Sequence, residues 1–430
     1  MLPLPGARDT KGCCEWGRVG MVERAASGRD VFRHRDYTLY VLSRFLWGLG
    51  VQIMVVAIGW LVYSVTSDPF ALGLVGLATF IPAVPLSLLT GPVADRYDRR
   101  SIMIVCCGTM TIVALAMGGL VGAGVLEDGA IWIVYVAVFL IGAARSFANP
   151  AGHALMMSIV PEEEYPAALA WHNSLVQASA ISGPVIGGLL LPLGSLAPFV
   201  AAGVAFTAAS VLSIMLRKPE RRAAGKAPVT IEMLLAGYRF IWRSPVILGA
   251  MSLDLVAVLL GGVVALLPVF VQDVYETGPW ALGVLRACPA VGGLVASLVI
   301  ANTAFTWHVG RTMFGAVFVF GVATIGFGLA THFLVAAVCL IILGAADILS
   351  VLVRQTLIQV ETPDAVRGRV LAVYTIVAGT SNELGEFRAG AMAALIGAVP
   401  AVLFGGAAAV AAAGLWMRMF PDLRTRATFR

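Results

Sequence analysis

The sequence contains few charged residues for its length. Only 12% of its 430 residues are Asp, Glu, Lys or Arg, whereas 59% are hydrophobic. A soluble globular domain carries about 25% charged residues, so the charges in this chain are too few to cover a water-facing surface. Their scarcity excludes an ordinary soluble enzyme, a disordered protein and a nucleic-acid-binding protein.

Motifs for metal, nucleotide and covalent chemistry are also missing. The six cysteines include no CxxC pair and no Cys/His cluster with metal-ligand spacing. The chain has no GxxxxGK(S/T) phosphate loop, so ATP does not drive it directly, and no HExxH or GxSxG sequence. Residues 1–37 hold no apolar run of signal-peptide length. We therefore predict neither an enzyme nor a protein that carries a metal or a cofactor.

Long apolar stretches, in contrast, are abundant. A transmembrane helix needs about 20 mostly apolar residues, and turn-forming residues separate twelve stretches of that kind. They are too long and too rich in Gly and Ala for the strands of a membrane barrel, which run about 9–11 residues. The pattern predicts an all-α membrane protein with twelve transmembrane helices. The stretches cover 38–64, 70–93, 101–124, 129–149, 167–190, 195–216, 245–271, 280–304, 311–331, 333–358, 370–396 and 398–418.

The basic residues are concentrated in alternate loops, and this placement explains the net charge of +5. Because Lys and Arg accumulate on the cytoplasmic side of membrane proteins, both termini are predicted to be cytoplasmic. Basic residues occur in 1–37, 94–100, 217–244, 367–369 and 419–430, whereas 65–69, 125–129, 191–195, 272–279 and 332 have none.

A long basic linker, 217–244, divides the spans into six plus six. Its segment 230–243 is expected to form an amphipathic helix on the cytoplasmic face. The predicted units are a tail 1–37, a bundle 38–216, the linker, a bundle 245–418 and a tail 419–430.

Two segments of the N-terminal half have distinctive sequences. The loop after the second span reads Gly91-Pro-Val-Ala-Asp95-Arg96-Tyr-Asp98-Arg99-Arg100. Its glycine permits a tight exit from the helix, its first carboxylate can face a helix N-terminus, and its arginines anchor the loop in the cytoplasm. The fifth span contains Gly183-Pro184-Val-Ile-Gly187-Gly188, in which small residues permit close helix approach and the proline bends the span.

Two halves of six spans with these segments resemble the major facilitator superfamily. The resemblance implies two pseudo-symmetric six-helix bundles around a cavity that opens alternately to the two sides. It implies that Gly91, Asp95, Arg96, Arg99 and Arg100 form a latch between the halves, although Asp98 stands where a Gly is usual; a positive-inside anchor is the alternative. The segment with Gly183, Pro184, Gly187 and Gly188 is similar to the antiporter motif, whose dry bend limits proton leak, and ordinary glycine packing is the alternative.

The C-terminal half is similar to the enterobactin-exporter group of this superfamily, which includes siderophore exporters and multidrug exporters. The similarity implies export of a small amphipathic molecule. It is carried by Met251–Asp254, Leu266–Phe270, Gly344–Gln355, Thr362–Val370 and Ser381–Glu386.

Acidic residues inside the predicted spans are candidates for proton coupling. An ionisable residue there costs about 2.5–3.5 kcal/mol on insertion scales, so it indicates function. Asp254 and Asp347 lie at similar depth in the seventh and tenth spans, which line the central cavity in the superfamily. We predict that both exchange protons as access alternates. An ion pair with Arg354 is the alternative role of Asp347.

Further candidates lie in the fourth and eleventh spans. Glu383 and Glu386 share a helix face and form either another proton site or pairs with Arg286 or Arg388. Arg145 resembles a third superfamily motif and completes the proton-coupling candidates, with a snorkelling arginine as the alternative. The candidates for the cavity wall or substrate contact are Arg44, Gln52, Arg354 and Asn382; hydrogen bonds between helices are the alternative for the two amides.

Together these features predict a proton-coupled exporter of a small amphipathic molecule, such as a siderophore or a drug. We expect a multi-pass monomer in the bacterial cytoplasmic membrane, with the substrate, protons and the lipid bilayer as partners and no nucleic acid. The alternatives are an importer or a lipid flippase on the same fold, or a non-transporting membrane sensor or scaffold. A scaffold has no use for costly buried charges.

Overall fold

The computed structural model describes residues 30–126, 129–217, 231–302 and 308–426. Throughout these ranges the regular structure is helical, with no strand, which confirms the all-α class. The helices are α1 (Arg35–Thr66), α2 (Pro69–Arg96), α3 (Arg99–Gly122), α4 (Trp132–Ile159), α5 (Tyr165–Leu190), α6 (Ala197–Met215), α7 (Ile231–Arg243), α8 (Pro245–Gly261), α9 (Leu267–Val269), α10 (Pro279–Asn302), α11 (Val309–Leu329), α12 (Phe333–Glu361), α13 (Asp364–Ile396), α14 (Ala398–Met419) and α15 (Pro421–Thr425).

Within the described ranges, ten helical runs are long and apolar enough to cross a membrane. The predicted second and eleventh spans correspond to α2 and α13, which are not among these ten. Only the first part of α2, Pro69–Ala83, qualifies as an apolar helix, and it is a shorter one. The count of twelve spans therefore stays a prediction, and so do the bounds of the bundles and tails.

The fourth and seventh predicted spans differ most from the helices observed. The fourth span was expected to end at 149, but α4 continues through Pro150 to Ile159. A proline is tolerated inside a membrane helix. The stretch before Pro150 also contacts α1, because the Arg44 guanidinium donates a hydrogen bond to the carbonyl of Ala148 (3.5 Å). The seventh span is interrupted after Gly261 and resumes as α9, followed by a π-helical turn, Phe270–Val274.

Capping side chains close the short turns between long helices. The Asp68 carboxylate accepts a hydrogen bond from the Phe70 amide (2.8 Å) at the start of α2. Asp98 acts in the same way at α3, where it accepts from the Arg100 amide (3.2 Å) and the Ser101 hydroxyl (3.2 Å). An Asp at this position satisfies amides that have no partner within the helix. Asp98, which stands where the superfamily motif usually has Gly, therefore caps the N-terminus of α3.

The two halves meet through α2 against α13 and α5 against α10. Glycines permit the closest approach: a Cβ on Gly188 would lie 2.8 Å from the Cα of Gly283, and one on Gly73 would lie 2.9 Å from the Phe387 carbonyl oxygen. Both contacts lie where α2 and α10 begin. Here the Tyr63 hydroxyl of α1 also donates a hydrogen bond to Asp273 of the π-helical turn. We call this the closed end of the molecule.

At the opposite end, α7 packs against α8 and α13. This helix lies in the segment predicted to be amphipathic, while residues 218–230 of the linker and 1–29 of the N-terminal tail lie outside the described residues.

Candidate functional site

A cavity of about 380 Å³ lies between the two halves. Helices α1, α2 and α4 form one wall, and α10 and α13, with residues near α9, form the other. The rest of the wall is largely aliphatic, so polar groups converge on a cavity that also offers apolar surface. We call it the central cavity; its polar lining consists of Gln52, Thr79, Arg145, Arg286, Asn382, Glu383 and Glu386.

The charges of the central cavity come from both halves. The Arg145 guanidinium of α4 lies 3.9 Å from the Glu383 carboxylate of α13, and 40% of the Arg145 side chain is exposed. At this distance and exposure the pair is weak, so each group remains available to a ligand. Arg286 of α10 interacts electrostatically with Glu386 and Glu383. The sequence had indicated Arg286 only as a partner for the glutamates, and the structure places it in the cavity wall.

Two further cavities adjoin the central one. The first, of about 250 Å³, shares Arg145 and Glu383 with it and reaches Thr90, Asn149 and Thr375, away from the closed end. The second, of about 360 Å³, is lined mainly by the C-terminal half, with Gln177 of α5 from the other half, and shares Asn382 and Glu386 with the central cavity. We call these the end cavity and the side cavity. The three cavities therefore share polar lining residues in the middle of the molecule.

Asp347 of α12 lines the side cavity. It also borders a water-sized space that it shares with Asp254 and Ser350. No ion pair of Asp347 is found among the described residues. Among the described residues, Asp347 therefore borders both spaces without taking part in an ion pair.

Asp254 of α8, in contrast, forms an ion pair with Arg354 of α12. The Arg354 side chain is only 2% exposed. It also donates a hydrogen bond to the Tyr374 hydroxyl (3.2 Å), and its guanidinium lies 5.3 Å from the centre of that ring. The predicted alternative, in which Arg354 pairs with Asp347, is therefore not the arrangement observed. Arg354 joins α8, α12 and α13 and lies in the protein interior.

Arg44, the other arginine of the N-terminal spans, is buried behind the wall of the end cavity and is not a lining residue of the three cavities. It donates a hydrogen bond to the Asn149 side chain (3.0 Å), and a Cβ on Gly152 would lie 3.3 Å from its guanidinium carbon. This packing between α1 and α4 favours a structural role over substrate contact. Gln52 and Asn382, the two predicted amides, do line the central cavity.

The arginines of the predicted latch bind backbone carbonyls within the N-terminal half. Arg99 donates to the Ala154 carbonyl (3.0 Å) and Arg100 to the Ser213 carbonyl (3.1 Å), so the start of α3 is tied to the ends of α4 and α6. Gly91 and Asp95 belong to α2, but their side chains lie outside the described part of the structure, and Arg96 is exposed. A latch between the halves stays a prediction.

The glycines of the predicted antiporter motif face two different helices. Cβ atoms on Gly183 and Gly187 would lie 2.5 Å from the Gln52 Cβ and 3.3 Å from the Ile53 Cα of α1, whereas Gly188 faces α10. Pro184 is a buried residue inside α5. The segment thus packs α5 tightly against both the cavity helix α1 and the opposite half.

Comparison with known proteins agrees with this architecture. Residues 27–427 match the family described as transmembrane secretion effector. The enterobactin exporter EntS of Escherichia coli O1:K1 / APEC is 26% identical over 380 residues, which are 84% of this chain and 86% of that protein. The enterobactin exporter EntS of Citrobacter koseri is 26% identical over 412 residues, 91% and 93% of the two chains.

Solved structures show the same fold at lower sequence identity. The nucleoside transporter NupG has a TM-score of 0.70 at 13% identity and covers 90% of this chain and 99% of its own. A bacterial homologue of the iron transporter ferroportin, solved in an inward-facing state, has a TM-score of 0.66 at 19% identity. The match covers 91% of this chain and 99% of that protein. These similarities establish the fold.

Proposed function

Because the chain belongs to the major facilitator superfamily of membrane transporters, in the family of transmembrane secretion effectors, we propose that it is a proton-coupled exporter of a small amphipathic molecule. The substrate would be a siderophore-like metabolite or a drug. The protein would act as a monomer in the bacterial cytoplasmic membrane, with both termini in the cytoplasm. The relatives named as enterobactin exporters favour export over import.

The observation that carries this proposal is the mixed lining of the central cavity. Carboxylates and guanidinium groups inside a membrane protein are costly, so their presence there indicates that they act on a substrate or an ion. Here they converge on one cavity from both halves, beside an aliphatic wall. Such a surface suits a molecule with an apolar body and a few polar groups.

Among the acidic residues, Asp347, Glu383 and Glu386 are the better proton carriers. A carrier has to face water and exchange its proton as access alternates. These three line cavities, whereas Asp254 is compensated by Arg354. We assign Asp254 the role of holding α8 and α12 together, and the three cavity acids the role of coupling.

The direction of opening fits the cytoplasm-facing state of a transporter. The closed end carries the loops without Lys or Arg, and the end cavity extends toward the basic side. With the basic side in the cytoplasm, the structure would represent the state that takes up its substrate from the cytoplasm.

The experiment is accumulation of test compounds in an efflux-deficient bacterial host that expresses the chain. The panel contains a catecholate siderophore, a neutral amphipathic antibiotic and a lipophilic cation, each with and without a protonophore. We expect lower accumulation of one compound, restored by the protonophore and by Asp347→Asn, with membrane protein levels matched. Transport that survives collapse of the gradient would indicate a facilitator or a flippase instead. No change for any compound would favour an importer or a sensor.

A further inference from the structure

The outer face of α7 exposes an aromatic pair beside two arginines. Tyr238 and Trp242 are 49% and 62% exposed, and their ring centres lie 5.5 Å apart on adjacent turns. Arg239 and Arg243, also one turn apart, are exposed as well. We call these four residues the α7 surface.

The inner face of the same helix is fixed against the C-terminal half. A Cβ on Gly237 would lie 2.8 Å from the Arg369 carbonyl oxygen of α13. Ile241 is buried in a cluster with Ile247 and Met251 of α8. The close approach and the buried isoleucine set the rotation of α7, so the aromatic pair and the arginines are held outward.

The position of α7 along the chain sets its depth in the membrane. The helix ends at Arg243, and α8, the start of a membrane-crossing run, begins at Pro245. Trp242 and Arg243 therefore lie where the chain enters the bilayer. Trp and Tyr are enriched at this level, with their rings among the headgroups.

We propose that the α7 surface binds the headgroups of anionic phospholipids. The rings of Tyr238 and Trp242 would lie at the boundary of headgroups and acyl chains, and the two guanidinium groups would pair with phosphate, for which Arg has the matching planar geometry. The aromatic pair and the two arginines lie together at the level of the membrane interface. An anionic lipid presents an apolar layer to the rings and a negative layer to the guanidinium groups there, and this is why the partner is a lipid.

Bound lipid would be coupled to the interior through the packing of α7. Phe240 and Tyr374 pack on the same cluster as Ile241. The Tyr374 hydroxyl accepts the hydrogen bond of Arg354, the partner of Asp254. Lipid that holds α7 in place therefore supports the ion pair between α8 and α12.

Fluorescence quenching in nanodiscs tests the proposal without measuring transport, so its outcome is independent of the proposed function. The full-length protein is placed in phosphatidylcholine discs that contain acyl-brominated phosphatidylglycerol or, separately, acyl-brominated phosphatidylcholine. The contribution of Trp242 is the difference between the wild type and Trp242→Phe. Each arginine near an anionic surface contributes about fivefold in affinity, so we expect a preference for phosphatidylglycerol of up to about 30-fold.

Matched double variants separate this surface from general charge effects. The double variant Arg239→Gln/Arg243→Gln should bring the preference for phosphatidylglycerol over phosphatidylcholine close to one. Arg418→Gln/Arg424→Gln, which removes two exposed arginines from the same side of the molecule, should leave it unchanged. Equal quenching of Trp242 by the two brominated lipids would overturn the proposal, as would an equal loss in both double variants.

Discussion

Removal of the Asp254 carboxylate should destabilise the C-terminal half strongly, because Arg354 would then be a buried charge without its counter-ion. The Arg354 side chain is 2% exposed and that of Asp254 is 10% exposed. Breaking a buried ion pair on one side costs about 3–5 kcal/mol. For a bundle of this size each kcal/mol shifts Tm by about 2–4 °C. We therefore expect Asp254→Asn to lower Tm by roughly 6–20 °C.

The buried cysteines provide the assay. Cys106, Cys107 and Cys288 are free and buried, so a thiol-reactive fluorophore reaches them as the protein unfolds. Cys13→Ser/Cys14→Ser/Cys339→Ala serves as the background, so that only the three buried thiols report on unfolding. Unfolding is followed on heating the purified protein in detergent.

Two comparisons decide the interpretation. Asp347→Asn should change Tm little, because no ion pair of Asp347 is found among the described residues. Asp254→Leu combined with Arg354→Met should recover most of the stability, since an apolar replacement of both partners of a buried pair is often neutral or stabilising. The reasoning would be refuted if Asp254→Asn and Asp347→Asn gave the same Tm, or if the double variant were as unstable as the single one.

The remaining predictions concern the closed end. Tyr63→Phe removes the hydrogen bond to Asp273, a contact to a charged group that is worth about 1.5–3 kcal/mol at most. In a Gln52→Cys background, the thiol should then react about tenfold faster with an impermeant thiol reagent added from outside. An unchanged rate would show that this hydrogen bond does not hold the closed end shut. Gly188→Val should abolish transport, because a Cβ there would lie 2.8 Å from the α10 backbone. The Gly108→Ala variant should transport normally, because a Cβ there has nothing within 4 Å. An equal loss of transport in both variants would argue against a specific role for the contact between Gly188 and α10.

Helix positions were largely predictable because apolar length is a property of consecutive residues. The last span, predicted over 398–418, is Ala398–Met419 in the structure. The end of α4 was not predicted, since a proline usually ends a helix in water, whereas neighbouring groups compensate for it within a membrane protein. Nor could the role of Asp98 be inferred, because a departure from a motif does not reveal which amides its side chain caps.

Side-chain partners between helices were less predictable. Asp347 and Arg354 are two turns apart on one helix, so spacing favoured their pairing. The structure instead pairs Arg354 with Asp254 on α8. Arg44 and Arg145 likewise could not be distinguished as intramembrane arginines, yet one packs against Gly152 and the other lines the central cavity. Helix rotation decides both cases, and a uniformly apolar span carries little information about rotation.

A short sequence correspondence between the halves places opposite charges at equivalent helix positions. Ile141-Gly-Ala-Ala-Arg145 in α4 corresponds to Leu343-Gly-Ala-Ala-Asp347 in α12. In both segments the glycine permits close approach to a neighbouring helix: Gly142 faces the Thr79 carbonyl of α2, and Gly344 faces the Pro289 carbonyl of α10. The glycines thus preserve the packing in each half, while the last residue changes from a cation to an anion. A rocking motion that preserves each half would move these opposite charges relative to one another, so the proposed coupling of access to protonation would require no difference in fold between the halves.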